Sequence, residues 1–195
     1  MKLYTLMVAY RRPIELMVSC GLFLRQTNPH WDLRIMHDGF PPQQVSEIAN
    51  LFGDERIHFE YSKERNGFWG HPNRKMMLEQ LDCEDTDFVY LTNDDNIIVP
   101  AFVEQMLGVV TEKTGLVMCD MLHNYCNYEY KVSQMAVGFV DMGAFIVRAD
   151  VAKAVGFNHI QEFCGDGLYA VDAARYCAEH GLEILRIPRA LFTHN

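Results

Sequence analysis

The sequence predicts an α/β fold in which a mixed, mostly parallel central sheet carries helices on both faces. Short apolar runs rich in strand-forming residues alternate with longer segments of helical periodicity along the whole chain. The length of 195 residues suits one domain with a sizeable core. No linker-like change of composition and no internal repeat divides the chain, so we expect residues 1–195 to form a single domain.

The predicted elements follow the apolar pattern. The run 3–9 is continuously apolar, which is typical of a strand buried on both faces. Further strands are predicted at 33–37, 57–61, 88–92, 116–121, 138–147 and 182–187. Helices are predicted at 14–26, 41–53, 73–81, 100–113, 149–155 and 168–180, where apolar residues recur at helical spacing.

The composition limits the classes of partner. Hydrophobic residues make up 49% of the chain and charged residues 22%, which is ordinary for a globular protein. The formal net charge of −9 disfavours nucleic acid as a partner, because an acidic surface repels phosphate backbones. A small anionic ligand would therefore need a local cation, such as a bound metal ion.

The cysteines and the N-terminus bear on the compartment. Six cysteines are scattered without a Cys-x-x-Cys pair, which favours a reducing environment. The apolar N-terminal run is short and ends at Arg11 and Arg12, unlike a secretory signal peptide. No apolar run approaches the roughly 20 residues that span a bilayer. The sequence thus predicts a cytoplasmic protein with no transmembrane segment.

Polar segments follow three predicted strands, at 10–13, 38–39 and 93–96. In open α/β sheets, ligands bind at the carboxyl ends of the strands. The segment 93–96 reads Asn-Asp-Asp-Asn, and such oxygen-rich clusters suit Mg²⁺ or Mn²⁺. The same residues also suit a solvated turn with helix capping before Pro100, so both interpretations stay open.

The segment 89–100, a strand followed by this cluster, apolar residues and Pro100, resembles the donor and metal motif of family 2 glycosyltransferases. That family has the GT-A fold, a Rossmann-like α/β domain. Carboxylates occupy the first and third positions of its motif, which are Asn93 and Asp95 here. The resemblance implies a Mn²⁺ or Mg²⁺ ion at Asp95, with Asp94 as a second candidate ligand. Asn93 departs from the pattern and would hold a ribose hydroxyl.

The resemblance extends over essentially the whole chain. Segment 8–13 resembles the Tyr-x-Arg-Pro turn whose backbone faces the base of the donor. Segment 35–39 resembles the strand end whose Asp contacts that base. Segment 66–74 resembles the Gly-rich loop and the Arg that flank the nucleotide. The resemblance implies a donor site that binds a UDP- or GDP-linked sugar through Tyr10, Arg12, Asp38, Arg74, Asn93 and Asp94. On the residues alone, Asp38 also fits a plain turn, Arg74 a solvated helix position and Trp69 core packing.

The second half of the chain contains the candidate catalytic base. Segment 163–168 resembles the helix start where the family carries Glu-Asp, although Gly165 replaces the Glu. The resemblance implies that Asp166 takes the proton of the acceptor hydroxyl, while a helix N-cap is the simpler role. Asp172 is a rival that lies about 240° further around the helix. His194, after the last strand, resembles the family's late metal ligand.

Two further patterns carry less weight. Residues 165–170 fit Gly-x-Gly-x-x-Ala, but a dinucleotide site needs a strand before that turn and usually lies in the first βαβ unit. Cys119, His123 and Cys126 form a short Cys/His cluster whose spacing matches no standard zinc knuckle. We therefore interpret both as coincidental.

The resemblance implies an inverting, metal-dependent transfer of a sugar from a nucleotide-diphosphate donor to an acceptor hydroxyl. The chain lacks the Gln-x-x-Arg-Trp segment of processive synthases, so a single addition is expected. One alternative is a non-catalytic nucleotide-sugar-binding domain of the same fold, because His37, Asn93 and Gly165 each replace a more usual acid. A nucleotidyltransferase is the other, although its Gly-rich phosphate loop is missing after the first strand.

Overall fold

The computed structural model describes residues 1–195, apart from the side chain of Ala49. The strands are β1 (Leu3–Ala9), β2 (Trp31–His37), β3 (Ile57–Tyr61), β4 (Phe88–Asn93), β5 (Ile97–Ile98), β6 (Thr114–His123), β7 (Glu129–Lys131), β8 (Phe145–Arg148) and β9 (Glu183–His194). The helices are α1 (Pro13–Leu24), α2 (Gln43–Leu51), α3 (His71–Glu79), α4 (Phe102–Gly108), α5 (Ala149–Val155) and α6 (Gly165–Glu179). The predicted α/β class is confirmed.

All of the strands belong to one mixed sheet with the order β3-β2-β1-β4-β8-β6-β9-β5, and β7 pairs with β6. The first four strands are parallel, whereas β8 runs antiparallel to both β4 and β6. The chain moves outward from β1 to β2 and β3, and then returns to place β4 on the other side of β1. This reversal opens a crevice at the carboxyl ends of β1 and β4, where such sheets bind ligands.

Strand β1 lies at the centre of the parallel half because its sequence tolerates burial on both faces. Leu3, Leu6 and Met7 are at most 1% exposed. Its backbone pairs with β2 on one side and with β4 on the other. An apolar strand of this kind has no solvated face and needs cover from helices on both sides of the sheet.

Several predicted elements differ from the structure in their bounds. The strand predicted over 138–147 is confined to β8, because Gly138 has a φ of +81° and Asp141 caps a 3₁₀ turn at 142–144. The helix predicted over 100–113 ends at Gly108, and the Thr111 N–H then donates to Thr114 Oγ1 in a turn. Helix α6 begins three residues earlier than predicted, so Asp166 lies in its first turn.

Strand β9 continues past Pro188, where the sequence predicts that it ends. Its register with β6 shifts around Asp120, whose partner is Ala190 after Cys119 pairs with Ile187. A bulge accommodates a proline because it removes the need for a ladder hydrogen bond. The strand therefore reaches His194, which lies beside His123 at the end of β6. Among the described residues, no helix is long and apolar enough to cross a membrane.

Candidate active site

The carboxyl ends of β1, β2 and β4 form the floor of a cleft of about 1090 Å³. Segments after β6, β7 and α5 form its other wall. Eight of the predicted site residues line this cleft: Tyr10, Arg12, Asp38, Arg74, Asn93, Asp95, Asp166 and His194. The ninth, Asp94, is fully buried beneath it.

Arg12 bridges the two adjacent carboxylates of the acidic cluster. One guanidinium nitrogen lies 2.5 Å from Asp94 Oδ1, and the other forms an ion pair with Asp95 Oδ2. Asp94 Oδ2 also accepts the N–H of Tyr10 at 3.2 Å. Burial raises the pKa of Asp94 to about 7, and the charge of Arg12 opposes that rise. Asp94 thus contacts the chain just after β1 and Arg12, and its roles toward a donor and a metal ion stay predictions.

Arg74 is fully buried at the base of the cleft, which excludes the solvated helix position considered from its sequence. Its guanidinium donates to the carbonyl oxygen of Trp69 at 2.8 Å, to His71 Nδ1 at 3.0 Å, and to Asn93 Oδ1. Burial lowers the pKa of Arg74 to about 10, while Asp141 and Asp166 oppose that shift. The side chain therefore stays cationic at neutral pH and fixes the orientation of the Asn93 amide.

The loop before α3 brings Arg74 to this position. Gly70 has a φ of +81°, and a Cβ there would lie 2.5 Å from Val8 Cγ1. Phe68 and Trp69 also have positive φ angles, which are strained for bulky residues. Trp69 is 54% exposed and packs edge-to-face on Phe163 at 5.2 Å. Trp69 thus lines the cleft and does not belong to the core.

Asp38 is buried at the end of β2, and its carboxylate is occupied by the chain itself. It accepts the N–H groups of Asn66 at 2.8 Å and Gly67 at 3.0 Å, and the side-chain amide of Asn73 at 3.0 Å. These bonds order the loop before α3. Arg65 lies over the ring of Tyr10 at 4.4 Å, close to this carboxylate.

Asp166 faces the cleft from the first turn of α6. Its pKa is raised to about 6, first by burial and then by the charge of Asp141. The rival, Asp172, lies outside the cleft lining and pairs with His159 at 2.7 Å and with Arg175. Of the two carboxylates, only Asp166 is placed to meet a ligand in this cleft.

Asp141 is a cleft residue that the sequence did not single out. Its Oδ1 accepts the N–H of Gly143 at 2.8 Å, and its Oδ2 lies 3.5 Å from His194 Nε2. Burial raises the pKa of Asp141 to about 6. The sequence gives one indication of this role, because Asp141 follows the apolar Val140 and precedes a turn that contains Gly143. The strand predicted over 138–147 hid that turn.

His123 is the second cleft residue that the sequence did not single out. Its spacing from Cys119 and Cys126 suggested only a coincidental Cys/His cluster. Its ring stacks on that of His194, with centroids 4.3 Å apart and planes 7° apart. Cys119 is fully buried, and burial raises the pKa of its thiol to about 12. The Cys/His cluster does not assemble among the described residues; instead His123, His194 and Asp141 are grouped, with ligand atoms within 4.8 Å of one another.

No protein family matches the chain at the sequence level, and no curated protein matches it. Solved structures do match it in fold. Residues 1–349 of TarS from S. aureus superpose with a TM-score of 0.77 at 13% identity, over 100% of this chain and 60% of that one. The same protein in complex with UDP-GlcNAc gives a TM-score of 0.73 at 14% identity, over 100% of this chain and 58% of that one.

The mannosyltransferase PcManGT from Pyrobaculum calidifontis, solved with GDP-Man and Mn²⁺, matches with a TM-score of 0.73 at 12% identity, over 99% of this chain and 56% of that one. Both proteins are GT-A-type glycosyltransferases. The chain therefore has the GT-A fold, as the resemblance implied. It spans about 60% of the length of these structures or less.

Proposed function

We propose that this chain is an inverting, metal-dependent glycosyltransferase that adds one sugar from a UDP- or GDP-linked donor to an acceptor hydroxyl. The observation that supports this most is that Asp166, Arg12 and Arg74 line one cleft, at the carboxyl ends of a GT-A sheet. The neighbours solved with UDP-GlcNAc and GDP-Man support the class of donor.

The donor half of the cleft suits a nucleoside diphosphate. Arg74 donates only to neutral groups and supplies positive charge in a chain that is otherwise acidic, as a diphosphate requires, whereas Arg12 is already paired with Asp94 and Asp95. Tyr10 and the Arg65 guanidinium above it offer a planar surface for a base beside Asp38. Asn93 retains a free amide nitrogen, because Arg74 contacts its oxygen, so it offers a donor to a ribose or sugar oxygen.

Asp166 suits the role of general base. A carboxylate with a pKa of about 6 is ionised at pH 7 and still accepts a proton better than an exposed carboxylate. In the proposed step, the acceptor oxygen bonds to the anomeric carbon of the sugar as Asp166 takes the hydroxyl proton. The bond from that carbon to the donor phosphate breaks, and its electron pair leaves with the nucleoside diphosphate. A Mn²⁺ or Mg²⁺ ion bound in the cleft would neutralise charge on that diphosphate.

Calorimetric titration of UDP and of GDP, each with and without Mn²⁺, tests the donor site. We expect one nucleotide to bind, and its affinity to fall by about tenfold or more without the metal ion. The Arg74→Met variant, which keeps the buried stem, should bind that nucleotide more weakly. Absence of binding by both nucleotides to folded protein would overturn the proposal.

The Asp166→Asn variant tests catalysis separately from binding. We expect release of UDP from UDP-GlcNAc, or of GDP from GDP-Man, to slow by roughly 100-fold or more while nucleotide affinity is unchanged. Asp172→Asn is the matched control on the same helix and should keep its turnover. If wild type binds the nucleotide but turns over neither donor, with water or with simple sugars as acceptors, the chain is a binding domain.

A further inference from the structure

The ends of two paired strands bring two imidazoles together beside a carboxylate. His123 ends β6 and His194 ends β9, and the two are register partners in the sheet. Their rings stack almost parallel, and Asp141 reaches the same point from the turn before β8. The pairing of β6 with β9 therefore places the two imidazoles side by side before any ligand is present.

Hydrogen bonding determines which nitrogen of His194 is available. Its Nδ1 lies 2.9 Å from Asn124 Oδ1, which also accepts the N–H of Tyr125 at 2.8 Å. An amide oxygen only accepts, so His194 carries its proton on Nδ1. The Nε2 lone pair then faces Asp141 Oδ2 at 3.5 Å. Two acceptors at this distance repel each other unless they share a cation, which is either a proton or a metal ion.

His123 can join this pair at small cost. Its Nδ1 accepts the N–H of Tyr125 at 3.2 Å, but that N–H has the nearer acceptor on Asn124. The His123 ring can therefore turn a nitrogen lone pair to a cation without leaving a backbone donor unpaired. A second hydrogen bond that orients a ligating histidine, as Asn124 orients His194, is typical of metal sites.

The acidic cluster, in contrast, already contains a cation. The Arg12 guanidinium contacts both Asp94 and Asp95, and Asp94 is fully buried beneath it. A metal ion placed between these two carboxylates would have to displace an internal ion pair. Among the described residues, no lysine or arginine forms an ion pair with His123, Asp141 or His194, although the charge of Arg74 acts on Asp141 and that of Lys131 acts on His123.

We propose that His123, Asp141 and His194 together bind one divalent transition-metal ion, such as Mn²⁺ or Co²⁺. The set of ligands differs from Asp95, Asp94 and His194, which the sequence suggested. Two imidazoles favour these ions over Mg²⁺, which prefers oxygen ligands. Three protein ligands leave coordination positions open to diphosphate oxygens, and this use of the ion rests on the proposed transferase function.

Metal titration without nucleotide tests the site itself. In calorimetry with MnCl₂ and with MgCl₂, we expect Mn²⁺ to bind at least about tenfold more tightly than Mg²⁺. The variants His123→Ala, Asp141→Asn and His194→Ala should each weaken Mn²⁺ binding by about tenfold or more, whereas Asp95→Asn should change it little. His58→Ala, a partly exposed histidine on β3, is the matched control. Absence of Mn²⁺ binding, or loss of binding in Asp95→Asn alone, would overturn the proposal.

A spectroscopic measurement on the unaltered protein keeps the test independent of the variants' folding. Electron spin-echo spectra of the Mn²⁺-loaded protein should show modulation from directly bound imidazole nitrogens. Spectra without nitrogen modulation would contradict the proposed ligands. Mn²⁺ binding that persists while neither UDP nor GDP binds would leave the metal site standing and reject the donor site.

Discussion

At the scale of single residues, the cleft is defined by carboxyl groups that the fold keeps away from water. Burial raises the pKa values of Asp94, Asp141 and Asp166 above those of exposed carboxylates. Arg74 lies among them and opposes part of this effect for Asp141 and Asp166. Raised pKa values in a cleft are typical of catalytic sites, because they place a carboxylate near its working pH.

This arrangement has a predictable cost in stability. The folded protein holds the proton of Asp166 up to about pH 6, whereas the unfolded chain releases it near pH 4. Ionisation of Asp166 therefore destabilises the folded state as the pH rises from about 4 through about 6. Relative to wild type, Asp166→Asn should gain stability over that range, by about 1–3 kcal/mol.

Chemical denaturation at pH 4, 6 and 8 measures that difference. Wild type and variant share the other groups with shifted pKa values, so the effects of those groups on stability cancel to first order. One of these groups is His71, whose pKa is lowered to about 4 mainly by burial. Asp82→Asn changes an exposed carboxylate before β4 and should show no such trend. A difference between Asp166→Asn and wild type that stays constant with pH would contradict the predicted cost.

At the scale of elements, the start of α6 is the most constrained helix end near the cleft. A Cβ on Gly165 would lie 2.5 Å from the carbonyl oxygen of His159 and 3.0 Å from His71 Nε2. The glycine that replaces the family's acid is thus required by close packing. It lets the first turn of α6 approach α3 and brings Asp166 to the cleft.

The Gly165→Ala variant should therefore lose stability, because the backbone at His159 leaves no space for the added carbon. We expect a loss of about 1–3 kcal/mol in the free energy of unfolding. Gly21→Ala is the matched control, since that glycine lies inside α1 with no atom within 4 Å of an added Cβ. It should be neutral or stabilising by up to about 1 kcal/mol. Equal effects of the two substitutions in thermal or denaturant unfolding would show that helix propensity alone matters.

At the scale of the whole molecule, the cleft and the surface differ in charge. The chain has a formal net charge of −9, whereas in the cleft the cations Arg12, Arg65, Arg74 and Lys131 balance the carboxylates of Asp38, Asp95, Asp141 and Asp166. Such a distribution favours a small anion that enters the cleft and repels an extended polyanion. The sheet order, which places β1 and β4 beside each other at the chain reversal, locates that cleft.

This charge distribution predicts selectivity between anions of different size. Fluorescence anisotropy with a labelled 20-base-pair DNA duplex should show no binding up to about 100 µM protein in about 0.15 M salt. The nucleotide that binds in calorimetry should still bind under the same conditions. Duplex binding that weakens steeply with salt would contradict this reading of the surface.

The local pattern of the sequence was enough to predict the α/β class and much of the cleft. Three of these features depend only on neighbours along the chain: the apolar run of β1, the polar segments that follow β1, β2 and β4, and the acid in the first turn of α6. Since carboxyl ends of parallel strands meet at one edge, the convergence of Tyr10, Asp38 and Asn93 followed from order alone. Helix ends were less predictable, as α4 and α6 show, because caps and tight packing decide them.

Contacts between distant segments could not be predicted from local pattern. The ion pairs of Arg12 with Asp94 and Asp95 join residues more than eighty positions apart, and they occupy the carboxylates that the motif assigned to a metal ion. The stacking of His123 on His194 depends on the register of β6 with β9, which a bulge near Pro188 sets. Periodicity records which face of an element is buried, whereas register, bulges and ion pairs are decided only when the elements pack together.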